Sequence, residues 1–217
     1  MRKGHYSKGI RYKPIGGREG ERMGERCTWC EDNGILQKYH DEEWGIPLHD
    51  DRKQFEFLMM EVMQCGLNWN MMLKKRHIFR QCFDNFDYRK IAVYDDNKIQ
   101  EIMDTQGMIR SIRKIQAVIN NANRFLQIIE EFGSFDTYLW SWTEGKTFVY
   151  RSHQNEWVAK NELSDAVSAD LKKRGFKYLG SITVYSHLQA CGMINDHREG
   201  CFLYREICDK YPVAYKD

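Results

Sequence analysis

In the stretch IRSIRKIQAVINNANRFLQIIEEFG, residues 109–133, apolar side chains recur at Ile112, Ile115, Ile119, Ala122, Leu126 and Ile129. Steps of three and four place them along one stripe of an α-helix, and Gly133 supplies the stop. A helix this long with one apolar stripe needs partners of its own kind to cover it. Working outward, DRKQFEFLMMEVMQCG places Phe55, Leu58, Val62 and Cys65 on one helical face. Gly66 ends that helix and Asn68 caps the next, WNMMLKKRHIFRQCF. SDAVSADLKKRG reads as a capped helix stopped by Gly175. SITVYSHLQACG is β-branched at its start, but its length and Gly192 favour helix over strand. Only KTFVYRSHQNEWV, residues 146–158, has strand character, as a loop or small hairpin. The pattern predicts an all-α fold, a helical bundle.

The bulk numbers fit one such domain. The chain has 217 residues, 42% hydrophobic and 29% charged, which is the balance of an ordinary globular core. No apolar run reaches the roughly 18–20 residues of a membrane span, and the basic start lacks the apolar core of a secretory signal. Seven cysteines, odd in number and irregularly spaced, argue against a disulfide framework and for the cytoplasm. Residues 1–24 hold seven Lys/Arg against Glu19 and Glu21, a balance of +5, so a total of +2 leaves −3 for the rest. Nucleic acid would therefore have to bind a local patch of the folded part. With six glycines and few large apolar groups, residues 1–24 predict a flexible tail, either without a role or a non-specific DNA tether.

Four constellations carry chemistry. Cys27 and His40 stand near one end, His197 and Cys201 near the other. Two thiolates and two imidazoles would make a closed zinc tetrahedron of structural role. Spacing alone leaves two rivals: a redox-active CTWC pair, Cys27 and Cys30, and plain buried cysteines. Glu61 lies within FLMMEVM; it either faces solvent or is a functional buried acid. Trp29, Tyr39, Trp44 and Trp69 are core, or a stacking slot for a flat ring. DTQGMIRSIRKI leads a glycine turn into a helix start bearing Arg110, Arg113 and Lys114, which suits a phosphate but also an ordinary turn.

The motifs ERCTWC, YHDEEWGIP, MEVMQCGLNW, GMIRSIRKI, LKKRGFKYLG and QACGMINDH follow in order over residues 25–201. Together they closely resemble the DNA-3-methyladenine glycosylase I family, base-excision repair enzymes of the helix-hairpin-helix superfamily. The resemblance implies a helix-hairpin-helix element and a structural zinc bound by Cys27, His40, His197 and Cys201, joining the two ends of the chain. It implies that Glu61 hydrogen-bonds a flipped base, that Tyr39 and Trp69 stack on it, and that Trp29 and Trp44 line the pocket. Gly107, Arg110, Arg113 and Lys114 would grip DNA phosphate, and Leu67 would probe the duplex.

The expected activity is hydrolytic excision of 3-methyladenine from alkylated double-stranded DNA by a monomeric, monofunctional enzyme. The expected organisation is a tail at 1–24, a glycosylase domain at 25–205 and a C-terminal tail at 206–217. Family members commonly read LEGQQAGLSW where this chain has Val62, Met63, Cys65 and Asn68. That departure motivates the alternative of an inactive damage-binding module.

Overall fold

The computed structural model describes residues 24–31, 33–64, 66–154 and 157–217. The expected tail lies outside them except for Gly24, and so does Cys65. Ten α-helices dominate the described residues: α1 Gly34–Glu42, α2 Asp51–Gln64, α3 Trp69–Cys82, α4 Tyr88–Ile91, α5 Asp96–Asp104, α6 Ile112–Phe132, α7 Phe135–Ser141, α8 Glu162–Lys173, α9 Ser181–Ala190 and α10 Phe202–Lys210. Two short strands, β1 Thr147–Tyr150 and β2 Val213–Lys216, complete the order, with β1 before α8 and β2 last.

The helices start where local chemistry lets them. Asn68 accepts the Asn70 N–H and opens α3, as its position predicts. Asn161, rather than Ser164, caps α8; the two residues bond reciprocally, a capping box with Ser164 as its inner member. Gly66, at φ +84°, turns the chain between α2 and α3.

The core sits around α2. Every residue from Gln54 to Met63 is buried, because α3, α6, α7 and α9 surround this helix. A single-face stripe therefore understates α2, which is the central rod of the bundle. On α6 the buried line runs through Ile115, Val118, Ala122, Phe125 and Ile128. The predicted stripe is rotated by about one position: Ile119, Leu126 and Ile129 flank the core half-buried, and Ile112 is exposed. The sequence carries apolar residues on both sides of Phe125, so spacing alone did not choose the seam.

The strand-like segment is not a hairpin. β1 pairs in parallel with β2, from Thr147 opposite Val213 to Tyr150 opposite Lys216. A parallel partner 66 residues away leaves no local signal in the sequence. The expected boundary at 205/206 falls inside α10, and β2 carries the chain to Lys216 within the fold. At the other end, Glu25 bridges to Cys201, which brings the first and last segments together.

Candidate functional site

Cys27, His40, His197 and Cys201 converge, all buried, with their ligand atoms within 4.8 Å of one another. Cys201 Sγ lies 3.4 Å from His40 Nε2 and 3.5 Å from His197 Nδ1, and Cys27 Sγ lies 3.6 Å from the same Nδ1. Zinc bonds of the usual lengths to sulfur and nitrogen, in a tetrahedron, give S–N edges of about 3.5 Å. The donor set thus fits a tetrahedral cation in kind and in size. The outer partners also fit. Trp44 offers a carbonyl, so His197 Nε2 must donate to it, at 3.1 Å, leaving the Nδ1 lone pair toward the sulfurs. His40 Nδ1 meets Asp41 at 2.9 Å, which turns Nε2 inward. The Cys27 thiol beside it, with His197 and His40, holds Cys201 far down toward thiolate; Cys27, facing that sulfur, is pushed up. Two sulfurs this close do not both ionise without a cation between them. Cys30 is buried but outside the group; its sulfur bonds the Cys27 carbonyl at 3.1 Å.

Beside this cluster opens a cleft of about 480 Å³, lined among others by Trp29, Tyr39, Trp44, Glu61 and Trp69. Five residues from three segments of sequence meet there because α1, α2 and α3 are placed side by side. Glu61 is 6% exposed. Burial alone pushes its carboxyl up to about 8, so it is protonated at neutral pH in the free protein. A cation entering the cleft would favour the carboxylate. Tyr39, beside it, is pushed up by burial and then by Glu61.

The aromatic slot differs from two parallel plates. Tyr39 and Trp69 stand 5.6 Å apart between centroids and tilted by 54°. A ring sandwiched between two others needs two van der Waals spacings, about 7 Å. At 5.6 Å the two rings leave no room for a third between them as they stand, and Trp69 is half-buried at the first turn of α3. Trp29 and Trp44 meet edge-on at 5.1 Å, and Trp44 contacts the His197 ring at 4.6 Å. Cys27 itself lines the cleft. The cluster and the cleft therefore share a wall.

The remaining expected residues lie elsewhere. Leu67 is half-buried on the α2–α3 turn, outside the cleft lining. Gly107, at φ +82°, forms the turn between α5 and α6, with Arg110 and Arg113 exposed nearby. Lys114 Nζ donates to the Met63 carbonyl at 2.7 Å, so it caps α2. Val62 and Met63 are core residues and do not line the cleft. Asn68 caps α3, as a serine there could. These three departures from the common family pattern thus lie outside the cleft lining.

Sequence reasoning missed much of the rest of the cleft lining: Gln64, His153, Gln154, Trp157, Gln189, Asp196 and Arg198. The signal available was Asp196 next to His197 of the Cys/His cluster; nothing in the sequence joined it to His153.

Residues 29–204 match the family model for methyladenine glycosylase. The chain belongs to the methyladenine glycosylase family. DNA-3-methyladenine glycosylase 1 of Escherichia coli (strain K12) is 40% identical over 181 residues, 83% of this chain and 97% of that protein. A crystal structure of 3-methyladenine DNA glycosylase I superposes with a TM-score of 0.76 at 39% identity, covering 82% of this chain and 98% of that one. A structure of the Staphylococcus aureus enzyme, solved for the basis of its 3-methyladenine recognition, gives 0.77 at 31% identity over 82% and 96%. Membership in a glycosylase family removes the redox reading of Cys27 and Cys30, whose single 3₁₀ turn leads into α1.

Proposed function

We propose that this methyladenine glycosylase excises 3-methyladenine from alkylated duplex DNA by hydrolysis of the N-glycosidic bond, as a monomer and without a lyase step. The observation that carries this reading is Glu61, buried on the wall of a cleft it shares with Tyr39 and Trp69. An N3-alkylated deoxyadenosine is cationic, so its glycosidic bond is already weak. Brought into the cleft, the cation favours ionisation of Glu61, and the proton leaves to solvent. A neutral base offers no such compensation, which makes the acid selective. The aromatic walls add stacking and cation–π attraction. Glu61 is base-recognising in this reading. Arg110, Arg113 and the Gly107 turn meet DNA phosphate, and Leu67 enters the duplex at the vacated site.

The metal in this reading is zinc, held by Cys27, His40, His197 and Cys201. With four protein donors no position stays open, so zinc supplies rigidity and no chemistry at the base. The test is release of free base from methylated duplex DNA. The wild-type chain releases 3-methyladenine and Glu61→Ala does not; a zinc-loaded wild type that binds the DNA and releases none overturns the reading.

A further inference from the structure

The cleft lining holds a second built group. His153, in the turn after β1, and Asp196, before His197, both line the cleft. His153 Nδ1 lies 2.8 Å from Asp196 Oδ1 and 3.1 Å from the Tyr185 hydroxyl. The Tyr185 hydroxyl donates to Asp196 Oδ2, and Gln189 Nε2 donates to the same oxygen at 2.7 Å. The carboxylate only accepts, so Nδ1 carries a proton toward it, and Nε2 is the ring nitrogen left over for a water. The ring lies on Tyr150, 4.5 Å between centroids and 16° from parallel, which fixes its plane. Only 8% of the His153 side chain and 11% of Asp196 are exposed. An imidazole held through Nδ1 by a carboxylate in this way is the arrangement that activates a nucleophile.

Hydrolysis of the glycosidic bond needs one. The C1′–N9 bond breaks and its electron pair leaves with the base, cancelling the positive charge. The oxygen of a water bonds C1′, and that water must lose a proton. Among the described cleft residues the acceptors are few. Glu61 is engaged with the base, Cys27 belongs to the metal cluster, and the Tyr39 hydroxyl is held protonated by burial. Asp196 already accepts three hydrogen bonds. Arg198 has no lone pair to offer.

We propose that His153 orients the attacking water and takes its proton through Nε2, with Asp196 and Tyr185 as positioning residues. This rests on the glycosylase reading above. His153 and Glu61 line the same cleft, so a nucleotide held by its base at Glu61 shares that cleft with His153.

The test is single-turnover release of 3-methyladenine from methylated duplex DNA by the full, zinc-loaded chain. His153→Gln keeps an amide for Asp196 and should fold with an unchanged melting temperature. It is expected to excise about 10²-fold more slowly, with unchanged retention of abasic-site DNA. His153→Ala is expected to be equally slow and to recover rate when imidazole is added. Excision by His153→Gln at the wild-type rate overturns the proposal. So does a slow His153→Ala that imidazole does not rescue, since a packing role would behave that way. A wild type that releases no base at all instead overturns the glycosylase reading itself.

Discussion

Trp44 ties His197 to the cleft: its carbonyl accepts the His197 Nε2–H at 3.1 Å, while its indole packs on Trp29 at 5.1 Å. The Cys/His cluster and the aromatic part of the cleft are therefore joined through one residue. A structural cation in this chain should have effects beyond global stability.

Chelation of the metal should lower the melting temperature by 10 °C or more. A link closing the loop between residues 40 and 197 is worth on the order of 5 kcal/mol, and each kcal/mol moves a domain of this size by about 2–4 °C. Tryptophan fluorescence should change in the same titration, because Trp29 and Trp44 lean on the cluster. Metal analysis confirming loss, with an unmoved melting curve, would contradict the assignment.

Glu61→Gln should stabilise the fold, and more so as the pH rises. The folded carboxyl sits at about 8 against an ordinary value of 4.5. Between those values the unfolded chain gives up a proton that the folded one keeps, so wild-type stability falls across that window. The full penalty is at most about 5 kcal/mol. Melting curves of the two proteins should nearly coincide at pH 4.5 and separate by several degrees at pH 8. A constant gap at all pH values would refute a desolvated acid.

Arg76→Met should cost about 3–5 kcal/mol at neutral pH. The buried guanidinium bonds Glu56 at 2.6 Å and Glu43 at 2.7 and 2.9 Å, joining α3 to α2 and to the residue that ends α1. Burial pushes both carboxyls up, but Arg76 with Arg80 and Lys53 outweighs it and holds them below the usual range. Their stabilisation is present above the unfolded value near 4.5 and fades as pH falls through the folded value. Denaturant titrations should show a deficit that shrinks on acidification; a pH-independent deficit would assign the loss to packing.

Gly45→Ala should weaken metal binding and lower stability together. Gly45 has φ +80°, and a Cβ there would sit 2.5 Å from His197 Nε2. Gly34→Ala is the control: a Cβ there meets nothing within 4 Å at the start of α1, and the change should be neutral or mildly stabilising. Equal zinc content and equal melting temperatures in the two variants would disprove the close approach.

The sequence by itself determined the helical class, the capping role of Asn68, the turn at Gly66 and, through ordered motifs, the family. Those are local matters: three- and four-residue spacing, a side chain reaching its own helix start, a residue tolerant of positive φ. It also named the four Cys and His side chains that converge and five residues of the cleft lining. Only the tertiary structure decided which side of α6 is seam, since Phe125 and Leu126 offer the same hydrophobicity and differ only in what packs against them. It alone set the parallel partner of β1, the 54° tilt between Tyr39 and Trp69, and the protonation of Glu61. The wall joining His153 to Asp196 is of the same kind. Each depends on distance and dielectric between groups far apart in the chain, and neither is written in the identity of any one residue.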